Sequence, residues 1–265
     1  MMDSELQVIK IGGKIINDPT LLDQFLHSFK QIKGKKILIH GGGRAATAFS
    51  ERLGLEVKMI DGRRVTDKET LDIAVMTYAG LINKHIVSKM QQLGINAIGL
   101  SGADGNVIRS KIRAKEPIDY GYVGDIKEVN HQFIEALINQ SIVPTFCPIT
   151  HSDEGQLLNT NADSIASAVA RSMSETYKVI LKYCFEYNGV LEDLNKPDSI
   201  IKTVTKESAA EYINKGVFSD GMIPKVENAF HAIDGGLHSV HICGINHVHE
   251  QDPGTTFLAT ASTAS

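Results

Sequence analysis

The sequence predicts an α/β fold, a three-layer αβα sandwich around a mainly parallel central sheet. Two observations predict it. Short apolar runs rich in Val and Ile alternate with longer segments of helical period, the order expected when a parallel sheet is covered on both faces. Glycine-rich turns then stand where predicted strands end, at the face where such sheets bind ligands. A chain of 265 residues, 42% of them hydrophobic and 22% charged, has enough apolar material for a full core.

The first apolar run predicts a strand over residues 6–11, followed by a helix around 21–32, a strand over 37–39 and a helix from 44 to about 53. A longer helical stretch from 68 to about 92 repeats apolar residues at Leu71, Val75, Tyr78, Leu81, Ile82 and Ile86, and feeds a short strand over 97–100. Between 104 and 129 the texture changes. Two β-like pieces, 106–113 and 122–129, flank a Pro/Gly-containing link and predict a hairpin over the edge or mouth of the sheet, a natural lid. A helix near 133–139, a buried strand over 142–147, a polar connection at 151–155 and a helix over 161–173 entered through Asn/Asp come next. The second half repeats the alternation, with a strand over 177–181, an irregular loop to Gly189, helices near 206–214 and 223–233, and strands over 239–242 and 256–258. The small, polar tail 259–265 should fray. With no Pro- or Ser-rich linker, residues 1–265 form one domain whose lobes, about 1–174 and about 175–265, share an interface.

Charge narrows the partners. The net charge is −4 and no Lys/Arg block is long enough to track a phosphate backbone, so neither nucleic acid nor an anionic membrane is expected. A small anionic ligand must then be held by a few placed cations. No apolar run approaches the roughly 18 residues that span a bilayer, and MMDSELQVIK lacks a signal pattern, so the expected location is the cytoplasm. Cys147, Cys184 and Cys243 are odd in number and far apart, which predicts buried, inert thiols.

Three turns carry the chemistry: Gly12-Gly13, Gly41-Gly42-Gly43 and the segment 99–105. Glycine there lets backbone N–H groups approach phosphate oxygens, and the second turn opens directly into a helix at Arg44. None of them is G-x-x-x-x-G-K-[ST] or G-x-G-x-x-G. A single such turn is an ordinary tight connection; three on one face define a site. Lys10 lies inside the apolar run just before the first glycine pair. A lysine in a buried strand is costly unless it emerges at the strand end to meet an anion, the alternative being a solvated face.

The run VIKIGGK at 8–14, HGGG at 40–43, DGRRVT at 61–66, GLSGADGN at 99–106, GYVGDI at 121–126, NTNAD at 159–163 and DGMIPK at 220–225 occur in order. Together they resemble the N-acetylglutamate kinases of the amino acid kinase superfamily, over residues 6–258. The resemblance implies that fold and an ATP-dependent transfer to the side-chain carboxylate of an N-acylated glutamate. It assigns Lys10 and Lys225 to the transferring phosphoryl group, Asp163 to holding both lysines, and the N–H groups of Gly12, Gly13, Gly42 and Gly43 to phosphate or substrate oxygens. Arg64 would grip the substrate carboxylate and Asn159 its backbone and acyl region. ATP would lie over the second lobe, near 182–189 and at Ser219, Gly221 and Met222, with Mg²⁺ riding on its phosphates.

Chemistry supports these assignments. A glutamate side chain with a pKa of about 4.3 is ionised at neutral pH and needs no general base. It needs help approaching a polyanion, which cations and N–H donors supply. A guanidinium fork suits a carboxylate, and the motif favours Arg64 over Arg63, a surface charge. Asn159, Asn161 and Asp163 could also be a helix N-cap cluster. His238, His241, His247 and His249 with Cys243 fit no zinc spacing and are expected to be structural.

At residues 181–191 the chain reads LKYCFEYNGVL where the resembled family has a polar L-T-D-V-x-G-V-L run, and the amino terminus leaves no room for the extra helix of its arginine-inhibited hexamers. A homodimer without arginine feedback is the expectation. Two rivals stand beside this reading. One is an N-succinylglutamate kinase on the same scaffold. The other is a serine hydrolase using the HGGG run, which needs a nucleophile elbow that Gly99-Leu100-Ser101-Gly102-Ala103 fails to complete. A catalytically dead sensor is disfavoured by the presence of Lys10, Asp163 and Lys225.

Overall fold

The computed structural model describes residues 5–60, 63–193, 195–196, 198–218, 222–237 and 239–259. The chain opens with β1 (Glu5–Ile11), α1 (Gly13–Asn17), α2 (Pro19–Gln31), β2 (Lys35–His40), α3 (Gly43–Arg52), the small hairpin β3 (Met59–Ile60) and β4 (Arg63–Arg64), and α4 (Lys68–Val75). A π-helical turn, Met76–Ile82, joins α4 to α5 (Asn83–Gln92). Then follow β5 (Ala97–Leu100), β6 (Ile108–Ile112), β7 (Gly124–Val129), α6 (His131–Asn139), β8 (Val143–Phe146), β9 (Ile149–His151), β10 (Leu157–Asn159) and α7 (Ala162–Met173). The remainder is β11 (Lys178–Phe185), β12 (Thr203–Val204), α8 (Lys206–Asn214), α9 (Ile223–Asp234), β13 (Val240–Gly244) and β14 (Thr255–Phe257).

Among the described residues the main sheet has eight strands in the order β12-β14-β13-β11-β1-β2-β8-β5. Every pair is parallel except β13 with β14. β1 is the central strand, with β2 on one side and β11 on the other, so the strand order reverses there. Ligands bind such sheets outside the carboxyl ends of the strands at this switch point. The alternation of β1 builds both cores. Leu6 and Val8 join one cluster with Ile165, Val169 and Ala229, and Ile9 and Ile11 join the other with Phe25, Phe29 and Ile86.

The expected hairpin exists as β6 and β7, antiparallel with a register shift between Arg109 and Ser110. It is part of a four-stranded sheet, β10-β9-β6-β7, rather than a free flap. Two backbone bridges, Thr66 with Gly121 and Val123 with Asn159, tie that sheet to the substrate motifs. Strand β11 also differs from expectation, running on through Lys182 to Phe185 instead of giving way to a loop. Parallel partners on both sides hold it, Lys10 and Ile11 of β1 and Ile242 and Cys243 of β13. Lys182 is consequently fully buried, donating to the carbonyls of Val248 at 2.9 Å and Glu250 at 2.6 Å, and Cys184 two residues on joins the cluster opposite Leu181 and Tyr183. It lies in a strand and not in a loop.

Candidate active site

Lys10 stands one residue from the end of β1, where alternation turns it to the face of Leu6 and Val8, against α7. It is 8% exposed, and its ammonium lies 2.7 Å from Oδ1 of Asp163 in the first turn of α7. Asn161 caps that helix, accepting from the N–H groups of Asp163 at 2.8 Å and Ser164 at 3.1 Å, so its side chain serves the cap. Asp163 is thereby free to pair. Lys225, on the first turn of α9, makes no ion pair with the described residues, although the charge of Asp163 acts on it. Its ammonium sits 4.1 Å from the centroid of the Phe185 ring, while Asp163 is engaged with Lys10. Burial lowers the Lys225 pKa, and the nearby charge of Lys10 adds to this against Glu186 and Asp163.

Gly12 caps α1 and Gly42 caps α3, so two helix N-termini converge beside Lys10. A β-carbon on Gly12 or Gly43 would meet nothing within 4 Å, leaving backbone open for an anion. Gly42 is different. A β-carbon there would lie 2.7 Å from Tyr78 and 2.8 Å from Ile82, both carried on the π-helical turn. Beneath the loop, buried His40 has Nδ1 2.7 Å from the Gly41 carbonyl and Nε2 3.1 Å from Asn83 Nδ2. Burial drives its pKa down to about 4, so it is a neutral strut.

Arg64 is 8% exposed at the end of the β3–β4 hairpin. Its Nη2 donates to the Gly43 carbonyl at 2.9 Å and Thr47 Oγ1 at 2.7 Å, whereas buried Nη1 has no partner. Asn159, at the end of β10, donates to Thr66 Oγ1 at 3.0 Å. These groups, with the glycine loops and Asp163, line one cavity of about 320 Å³, a size suited to a small ligand. Exposed Arg63 lies on the same cavity wall.

Two residues of the cavity wall, Tyr78 and Arg113, and Phe185 beside Lys10 and Lys225, escaped the sequence reading. Tyr78 was hidden inside a regular apolar period. Arg113, on the lid side, gave no periodic signal; it binds Asp125 Oδ1 through Nε at 3.1 Å and Nη2 at 2.5 Å, leaving buried Nη1 without a partner. Phe185 lay in the segment that departs from the resembled motif. Of the nucleotide residues, Met222 immediately precedes α9, but Ser219 and Gly221 lie outside the described residues. So do Asp61, Gly62 and Asp220 of the motifs.

Where described, these histidines have side-chain partners: His241 contacts Ser239 and Thr256, His247 contacts Glu250 and His249 contacts Ser28, while His238 lies outside the described residues. No group of three His, Cys, Asp or Glu able to hold a metal occurs among the described residues. Ser101 donates to Asp104 and leads through a short turn into β6, without the helix a nucleophile elbow requires.

A parallel sheet with cations and two helix N-termini converging on its switch point defines a phosphoryl-transfer site. The chain belongs to the amino acid kinase family, whose model matches residues 5–244. Its relatives narrow this further. It is 50% identical over 241 residues to the acetylglutamate kinase of Phocaeicola vulgatus, covering 91% of this chain and 94% of that one. It is 49% identical over 240 residues to the acetylglutamate kinase of Cytophaga hutchinsonii, covering 90% and 91%. The crystal structure of smu.665 from Streptococcus mutans UA159 superposes with a TM-score of 0.76 at 28% identity, covering 96% of this chain and 99% of that one.

Proposed function

We propose that the chain transfers the γ-phosphoryl group of ATP to the side-chain carboxylate of N-acetyl-L-glutamate, giving N-acetyl-L-glutamyl 5-phosphate for arginine biosynthesis. The observation that carries this is one cavity holding Lys10, open glycine backbone, and an Arg64 whose buried Nη1 has no protein partner. An unpaired buried guanidinium N–H is expensive, and a substrate carboxylate would satisfy it. In this reading Arg64 and Asn159 orient the substrate, and one oxygen of its ionised side chain attacks the γ-phosphorus. The bond to the β–γ bridging oxygen breaks, and ADP leaves. Lys10 and Lys225 stabilise the charge spread over the equatorial oxygens, with N–H groups of Gly12, Gly42 and Gly43. Asp163 orients Lys10 and takes no proton.

The lobe of about 1–174 holds the acyl amino acid and that of about 175–265 the nucleotide, with the Ser219–Gly221–Met222 stretch at the nucleotide. Mg²⁺ would bind through the nucleotide phosphates, which the open backbone at Gly12 and Gly43 could accept. When bound it neutralises phosphate charge. The chain works in the cytoplasm as a homodimer. Its three buried free thiols fit a reducing compartment.

A second reading is favoured by Arg113, whose unpaired Nη1 is a further cation on the cavity wall. An acyl group ending in a carboxylate, such as N-succinyl, would satisfy it. A hydroxamate assay with N-acetyl- and N-succinyl-L-glutamate decides. Preference for the acetyl compound is the expected result; preference for the succinyl compound replaces the substrate and keeps the mechanism. Acyl phosphate from neither sinks both.

A further inference from the structure

The aromatic ring of Phe185 is within reach of both lysines. Lys225 lies 4.1 Å from its centroid and Lys10 lies 5.8 Å away. Two carboxylates, Glu186 and Asp163, favour the charged form of Lys225 from beyond ion-pair distance, each making its ion pair with another lysine. Asp163 pairs with Lys10 at 2.7 Å, and Glu186 pairs with Lys14 at 2.7 Å. Among the described residues no ion pair reaches Lys225. Phe185 is the last residue of β11, on the same face as Leu181 and Tyr183, so the strand that was expected to become a loop instead brings a rigid ring to the two lysines.

We propose that Phe185 is a positioning residue for phosphoryl transfer, its π face holding the Lys225 ammonium in place where a carboxylate does not. The proposal rests on the reading of Lys225 as a phosphoryl-binding group. The chemistry favours a ring over an anion. A carboxylate paired to Lys225 would neutralise the cation and repel the incoming phosphates. The quadrupole of a ring attracts an ammonium from one side without taking its charge or its hydrogen-bond donors, and its attraction strengthens where water is excluded. The N–H groups of Lys225 therefore remain available to the phosphoryl oxygens.

The test replaces Phe185 by leucine, by tyrosine, and by mono-, di- and trifluorinated phenylalanine, which keep the ring's place while draining its electron density. Phe185→Leu preserves apolar volume, so a loss of roughly tenfold in kcat with KM nearly unchanged is expected, and Phe185→Tyr should restore it. Along the fluorinated series log kcat should fall steadily. A second readout does not depend on turnover. In protein labelled with ¹⁵N-lysine, the Lys225 Nζ signal, assigned by its loss in Lys225→Arg, should titrate at progressively lower pH as fluorines are added. A flat series in both readouts, or Phe185→Leu within twofold of the unmodified protein, overturns the proposal and leaves the ring a packing residue. If the unmodified protein makes no acyl phosphate, the functional reading falls, and the titration alone judges the contact between ring and lysine.

Discussion

Single side chains in this site are coupled in pairs, and the pairs predict how substitutions combine. Lys10 and Asp163 share an ion pair of 2.7 Å, so each loses its role when the other is removed. Lys10→Ala and Lys225→Ala should each lower kcat by about 10²–10³-fold, with smaller changes in KM. The Lys10→Ala/Asp163→Asn double variant should be far less impaired than the product of its single effects, whereas Asp163→Asn and Lys225→Ala should come close to multiplying. Steady-state kinetics on the two cycles checks this; equal coupling in both would restore Asp163 as anchor of both lysines. His40 gives a pH prediction of the same grain. Its pKa falls from the ordinary 6.5 to about 4 because it is buried, so between these values the unfolded imidazole binds a proton that the folded one refuses. The contribution of His40 is thus complete above about pH 6.5 and is lost as pH falls towards 4, by on the order of 3 kcal/mol. Chemical denaturation from pH 7 to 4 should show a shallower fall in stability for His40→Gln than for the unmodified protein. Parallel slopes would place the proton uptake elsewhere.

At the level of elements, the interruption of a helix by a π turn is what brings Tyr78 and Ile82 under the glycine loop. π-helical turns recur at functional sites because they re-aim side chains that a regular helix would stack on its own face. Gly42→Ala would drive a methyl into both side chains, at 2.7 and 2.8 Å, and the loop must rise. The expected cost is about 1–3 kcal/mol of stability together with a marked loss of kcat, and Ile82→Ala in the same chain should recover part of both. Thermal denaturation and turnover measured together test it; no recovery would mean that the loop fails for another reason. The same turn shows where sequence reasoning stops. The period of apolar residues from 68 to 92 predicts one long helix, and the bounds are right, but periodicity does not reveal a change in hydrogen-bond pitch within it. Strands β1 and β5, the cap at Asn161, and α8 were legible because buried runs and capping residues act locally. Strand β11 beyond Leu181 was not. Its Lys182 and Cys184 read as the start of a loop until β1 and β13 are seen to pair on either side. Lys10 was legible as a cation out of place and Arg64 through the motif it shares with the resembled family, whereas Arg113 and Phe185 acquire meaning only from neighbours distant in sequence.

Across the whole molecule, the eight-stranded sheet ends at β5, and Ile98 on that edge strand is 36% exposed. Nearby elements show more apolar surface, with Met76 61% and Leu81 55% exposed on the helical stretch that leads into α5, which itself packs on β5. The carbonyls of Ala97 and Gly99 on that edge accept from Gln91 and Lys84 of α5, so it is the exposed apolar side chains, not free strand groups, that invite contact with another chain. A second copy offers the same surface about a two-fold axis, the commonest closed arrangement, and the catalytic groups lie at β1, away from that edge. The prediction is a homodimer of twice the 28.9 kDa chain mass in light scattering. Ile98→Lys places a charge on each side of the axis, so the dimer should dissociate at micromolar concentration and the melting temperature should become lower. Because the cavity is built from one chain, turnover per chain should persist in the dissociated protein at temperatures where it stays folded. A monomeric or hexameric unmodified protein, or an Ile98→Lys variant that remains fully dimeric, would show that the β5 edge is not where two copies meet.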